Sequence, residues 1–197
     1  VGRRGCGAAP LTCTTYTHAA AMLALDQAKG EAFWTKIAER MAKGEVKVVP
    51  GNGSVKQQVA DVSNGVAFGL TDTDDAREAV DSGAPVVIVY PDQAEGRPGT
   101  FVIPYAGALV KGGPHPKAAE TLVRWLLSKE NEGRLASGPI ANIPVREGVA
   151  APPYVLRAVF EKVADPSKEF RAQAVDWDLV GQVEDRGQAF FARLFAK

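Results

Sequence analysis

The chain has 197 residues, 23 basic and 23 acidic side chains, a formal net charge of zero, and 46% hydrophobic residues. That length and apolar content sustain a packed core without disulfide or metal staples. Balanced charge excludes a nucleic-acid footprint, which needs a clustered positive excess, and the Arg3–Arg4 pair is too short to make one. No stretch reaches the roughly 20 apolar residues of a membrane span.

Cys6 and Cys13 are the two cysteines, and His18 is the nearest imidazole. This is a poor zinc signature. Small buried thiols are the plainer reading, with a disulfide as the alternative in an oxidising compartment. The chain opens on Val-Gly-Arg-Arg, without Met and without a secretory signal pattern, so its first residues do not set a compartment.

Strand and helix patterns alternate over the first ninety residues. Thr14–Thr17 lead into an apolar helical run, Ala19–Leu25, that stops near Gly30. Phe33, Ile37 and Met41 then share one helical face, with Trp34 beside it, and Gly44 closes that helix. Val46–Val49 reads as a strand. Gly51-Asn52-Gly53-Ser54 reads as a turn with Ser54 as helix cap. Val55, Val59 and Val62 recur at helical spacing until Asn64-Gly65. Val66–Thr71 is the next strand, Asp72–Asp75 open a short helix ending at Gly83, and the run from Pro85 to Tyr90 has the composition of a buried strand.

A Pro/Gly-rich loop, residues 91–99, separates this α/β part from a mostly helical remainder. Phe101–Pro104 and Ala106–Lys111 predict one interrupted strand or two. Pro116 suits the first turn of a helix, and Leu122, Val123, Leu126 and Leu127 give that helix a core face. Further helices are expected near 129–137, 153–164 and 176–197, with a short extended piece at Ile140–Pro144. The domains so divided are 1–95, carrying the polar turns, and 96–197.

Three strand-to-helix turns concentrate polar residues: Thr12–Thr17, Gly51–Ser54 and Thr71–Asp75. In an α/β sheet such turns gather at the carboxyl ends of the strands, where ligands bind. Helix N-termini there present unpaired N–H groups with partial positive charge. Each turn alone is explained by capping; three together point to a ligand. Asp72, Asp74 and Asp75 oppose a purely anionic ligand, so the ligand carries both signs or pairs a cation with an anion. Hard cations prefer such oxygen ligands. No P-loop, G-x-S-x-G elbow, H-E-x-x-H or G-x-G-x-x-G is present. His18 is a ligand contact or general base on one reading and a packing residue on the other. His115 reads as a surface residue.

The segment Thr14-Thr15-Tyr16-Thr17-His18-Ala-Ala-Ala resembles a signature of the extracellular solute-binding proteins of ABC importers, in the ferric-iron- and phosphonate-binding group. Gly51–Val55, Gly69–Ala76, Val89–Gln93, Gly99–Pro104 and Ala118–Ser128 resemble further signatures of that group, in the same order. The resemblance implies a periplasmic-binding-protein-like α/β fold of two lobes that close on solute. Residues 1–95 would form most of the second lobe. Residues 96–197 would supply return strands and helices that pack on both lobes. It implies that the family's N-terminal stretch lies outside this chain, a truncated form with one jaw incomplete. A homodimer is one way to complete it.

The same resemblance implies a periplasmic or extracellular binding component, not an enzyme. Its partners would be a small-molecule or ion ligand and an ABC permease. The ligand expected is an iron–anion complex, phosphate or phosphonate, with no cofactor beyond a bound metal ion or phosphate-like anion. Ligand-binding positions carried over or adjacent are Thr14, Thr15, Thr17, Asn52, Ser54, Asp72, Thr73 and Asp74. Ferric-binding members place adjacent tyrosines just after the third turn, where this chain has Asp74 and Asp75, the candidate metal ligands. Cys13 stands where the group has glycine. The alternatives are a metal-assisted enzyme on a phosphorylated small molecule, with His18 as base, and a ligand-free oligomeric protein.

Overall fold

The computed structural model describes residues 6–10, 13–139, 142–144, 146, 148–150 and 171–195. Three short parallel strands order the α/β part: β1 (Cys6–Pro10), β2 (Val46–Val49) and β3 (Val66–Gly69), in the spatial order β2-β1-β3. Gly7 lies opposite Val46 on one side of β1 and opposite Phe68 on the other. Parallel neighbours need helical crossovers. Two helices, α1 (Cys13–Leu25) and α2 (Gln27–Ala42), carry the chain from β1 to β2. Helix α3 (Asn52–Ala60) and a short 3₁₀ turn (Val62–Asn64) carry it from β2 to β3. Helix α4 (Thr73–Asp81) follows β3.

Local chemistry explains the breaks. Asp26 accepts a hydrogen bond from the Lys29 N–H at 3.1 Å and so caps α2 immediately after α1 ends. Gly30 lets that turn press on α1, since a Cβ there would lie 3.0 Å from Leu23 N and Met22 C. The helical run expected through Val62 is interrupted at Asp61, whose carboxylate accepts from the Ser63 N–H at 2.9 Å. Gly65 then closes the 3₁₀ turn with φ of 67°.

The core lies between α1, α2 and the last helix, α7 (Trp177–Phe195). Ala19, Trp34, Phe191 and Phe195 form one buried cluster; Ala20, Ala21, Val180 and Val183 form a second. The alanines of α1 let α7 approach closely, and Gly187 sits against Ala20 and Leu23. Trp34 is fully buried and meets Phe191 edge-on at 4.9 Å between ring centroids. The packed face of α2 therefore runs through Trp34, Ile37, Ala38 and Met41. Phe33, expected on that face, is more exposed.

The remaining strand expectations fail. Residues 84–90 alternate between half-buried and exposed but form no strand with any described neighbour. Val87 and Val89 are 75% and 65% exposed, because no described neighbour offers a ladder to that edge. Residues 101–111 also form no strand. Helices α5 (Pro116–Leu126) and α6 (Lys129–Ser137) form as expected, with Pro116 in the first turn of α5. The predicted core face of α5 is uncovered: Leu122, Leu126 and Leu127 are 55%, 45% and 44% exposed. Among the described elements α5 packs chiefly against α6, and Val123 and Leu127 meet the backbone at Gly107. The helix expected near 153–164, together with Ile140 and Ala141, lies outside the described residues.

The 91–99 loop is clamped to the segment that enters α7. Gln93 Nε2 donates to Arg171 O at 2.7 Å, and Arg171 N donates back to Gln93 Oε1 at 2.8 Å. The Thr100 N–H donates to Arg171 O at 2.9 Å. Gly99 has φ of 95°, and a Cβ there would lie 2.6 Å from Arg171 O, so both torsion and space require glycine.

Candidate functional site

The second and third polar turns meet, and the first joins them. Asn52 opens α3 directly after Gly51, which serves as its cap residue with extended backbone. Ser54 therefore lies inside the first turn and is not the cap. From this position the Asn52 side-chain amide reaches two other turns. Its Nδ2 donates to Thr14 Oγ1 at 3.4 Å and makes a short hydrogen bond to Asp72 Oδ2. Thr71 Oγ1 donates to Asn52 O at 3.4 Å. One amide thus ties the start of α1 to the starts of α3 and α4.

Asp72 decides between capping and a site. It occupies the cap position of α4 but makes no side-chain capping hydrogen bond. Its carboxylate turns to Asn52 instead. Burial first, then the neighbouring Asp74 carboxylate, push the Asp72 pKa up to about 6, against the opposing effect of the Asn52 hydrogen bond. Near neutral pH this carboxyl therefore sits close to its titration point.

Asp74 and Asp75 occupy the first turn of α4, where the helix dipole favours acids. They face different partners. Asp75 pairs with Lys56, Oδ1 to Nζ at 3.0 Å, and lies over Gly53. Lys56 also pairs with Glu78 at 2.6 Å, and these two carboxylates raise its pKa. Asp74 lies beside Asp72, close enough for the two carboxyls to share a hydrogen bond, and no N–H or hydroxyl group among the described residues donates to its buried Oδ1. No group of three or more His, Cys, Asp or Glu able to hold a metal ion is found among the described residues.

Two site residues escaped the sequence reading. Lys56 carried a usable signal, since it stands one helical turn after Asn52 and so shares its face. Tyr105 carried none: it lies in the irregular segment after Pro104, and only the fold brings it near the acidic turn. Its phenol pKa is raised by burial and by the charges of Asp74, Asp72 and Asp75.

Of the residues singled out, Thr14, Asn52, Asp72 and Asp74 come together. Thr15 is buried within α1 and Thr17 is half-buried there. No hydrogen bond connects the Ser54 or Thr73 side chain to the cluster. His18 is stacked on Phe101 at 5.1 Å and meets Trp34 edge-on at 5.9 Å. Burial lowers its pKa, which favours the neutral ring. His115 is exposed ahead of α5. Gln93 and Thr100 bond to each other, Nε2 to Oγ1 at 2.8 Å, in the loop clamp.

Residues 13–159 match the family described as bacterial extracellular solute-binding protein. The match covers most of the chain, including the second and third polar turns and the first from Cys13 onward, and the chain belongs to this family. No curated protein and no solved structure matches significantly. The parallel α/β part is in keeping with a periplasmic-binding-protein-like fold. No described helix is long and apolar enough to cross a membrane.

Proposed function

We propose that this chain is, or belongs to, the solute-binding component of an ABC importer, working in the periplasm or outside the cell and delivering its solute to a permease. The observation that carries the reading is the Asn52 side chain, which connects Thr14 and Asp72 from two different turns. Capping explains each turn separately but gives no reason for the three to converge. Thr15, Thr17, Ser54 and Thr73 flank the cluster and complete the proposed solute site. The mechanism needs no covalent step. Hydroxyl, amide and helix N–H donors hold acceptor groups of the solute, and the carboxylates hold its donors. The 91–99 loop would divide the lobe of residues 1–95 from residues 96–197.

The solutes tested first are those of the family group the chain resembles: phosphate, phosphonates and iron–anion complexes. A metal-borne solute would use Asp74 and Asp75, with Asp75 released from Lys56. The enzyme alternative needs His18 as base, and that ring is packed between Phe101 and Trp34. The exposed apolar side of α5 supports self-association as a secondary reading, which light scattering would report as a dimer.

Thermal-shift screening with phosphate, ethylphosphonate, 2-aminoethylphosphonate, ferric citrate and divalent metals tests the solute reading. A ligand at 100 times its Kd stabilises the native state by about 2.7 kcal/mol, a clear rise in Tm. Asn52→Ala should remove the rise. A panel that moves nothing, or a shift indifferent to Asn52→Ala, contradicts the site.

A further inference from the structure

His18 stands where the two buried clusters of the core meet. Its ring meets Trp34, of the first cluster, edge-on at 5.9 Å. It also stacks, at 5.1 Å and an interplanar angle of 14°, on Phe101, which packs against the second cluster. Phe101 in turn lies 6.1 Å from the Trp177 ring of α7. The residue before it, Thr100, donates its N–H to Arg171 O and accepts from the Gln173 N–H, both at 2.9 Å. One imidazole therefore joins α1 to the point where the 91–99 loop is clamped to the entry of α7.

A purely apolar side chain would fill this seam at lower cost. An imidazole brings two ring nitrogens that bond to water when exposed. Here burial is the single influence on its titration, with no hydrogen bond or charge acting on it from a described residue. Helix α1 carries no charged side chain. On α2, Asp26 pairs with Lys29 and Glu31 accepts from Gln27. At the clamp, Arg171 donates to Ala94 O and Arg97 O. Ahead of α7, Asp176 accepts from the Leu179 N–H. Neither these nor any other described charged group acts on the ring. A protonated ring would thus be a buried charge without a counter-ion, a loss that the attraction of a cation to aromatic faces offsets only in part. Burial accordingly lowers the His18 pKa from its ordinary 6.5.

We propose that His18 is a pH-sensitive latch. The neutral ring holds the Thr100–Phe101 segment against α1. Protonation releases Phe101 and opens the Thr100–Arg171 clamp, while Trp34, Phe191 and Phe195 stay packed. Once released, the ring regains its ordinary pKa of 6.5. Latching is therefore complete above pH 6.5 and is lost as pH falls through the lowered value of the packed ring. At pH 5.5, one unit below the ordinary value, protonation favours the open form by up to about tenfold. The clamp lies at the boundary between residues 1–95 and 96–197, so acid loosens the junction of the two parts.

Hydrogen exchange read by mass spectrometry tests this without a solute, through protection factors over peptides that span Thr100 and Gln173. In the parent chain, protection there should fall by up to about tenfold from pH 7.5 to 5.5, while peptides over Trp34 and Phe191 keep theirs. His18→Phe retains an aromatic ring that cannot titrate, and should keep its protection at both pH values. A parent indifferent to pH, a loss spread evenly over the core, or an equal loss in His18→Phe overturns the latch. Should that variant fold poorly, proton NMR titration in a His115→Gln background follows the His18 ring alone, since the chain has two histidines. A midpoint below 6.5, with the Phe101 ring resonances moving at the same pH, is the expected result. A midpoint at or above 6.5, or Phe101 resonances that stay in place, overturns the latch as well.

Discussion

Two regions of the described chain treat apolar side chains in opposite ways. Around α1, α2 and α7, alanines, Trp34 and the Phe191–Phe195 pair interlock and exclude water. On α5 a comparable apolar stripe, with Trp125 51% exposed, faces outward. Both stripes have a helical period, so periodicity specifies that a face is apolar but not what covers it. The polar turns sit on the covered side, where a rigid scaffold can hold donors and acceptors in place.

The comparison breaks most directly with tryptophans. Trp34→Ala should destabilise the chain by about 3–5 kcal/mol in urea unfolding, the usual cost of truncating a buried aromatic. Trp125→Ala should cost no more than about 0.5 kcal/mol, as for an exposed site without special partners. Similar losses at both would show that α5 is covered in solution.

Next in size is Asn52→Ala, expected to weaken solute binding about tenfold or more while costing only about 1 kcal/mol of stability, the scale of one hydrogen bond. Calorimetry and urea unfolding separate the two effects. A stability loss without an affinity loss would make the Asn52 bridge purely structural.

Asp72 makes a pH-dependent prediction. Its folded-state pKa is about 6, above the ordinary 3.8, owing to burial and Asp74, with Asp75 adding a smaller push. The protonated folded form is therefore favoured. That contribution is complete below pH 3.8 and is lost as pH rises through about 6. Asp72→Asn should raise Tm at pH 7.5 relative to the parent, with the gap closing at pH 4. A gap of constant size would contradict the shifted carboxyl. The smallest effect belongs to Ser54→Ala, which should change affinity less than about threefold, since Ser54 makes no hydrogen bond to the cluster and surface substitutions usually act weakly.

Much of the site was legible because turn chemistry is local. Thr14, Asn52, Asp72 and Asp74 stand at strand-to-helix junctions, and Gly and Asp mark those junctions in the chain. That the turns gather at one end of the sheet is what an α/β pattern predicts; which side chains touch is not legible, because it depends on β1 taking the central place in the sheet. Ser54 has the residue type of a helix cap, but the helix begins earlier, at Asn52, with Gly51 in the cap position. The run Pro85–Tyr90 has the composition of a strand, but a strand also needs a partner's ladder, and composition carries no information about one. His18 illustrates the converse. Its neighbours in sequence are polar, but Phe101 and Trp34, distant in the chain, turn it into a packing residue.

The central claim is that three turns form one solute site through Asn52. Calorimetric titration of the parent chain and Asn52→Ala, with the probe that gives the largest thermal shift, tests it directly. Saturable binding with one solute per chain, weakened about tenfold or more by the substitution, is the predicted result. Equal affinity in the two proteins would contradict it.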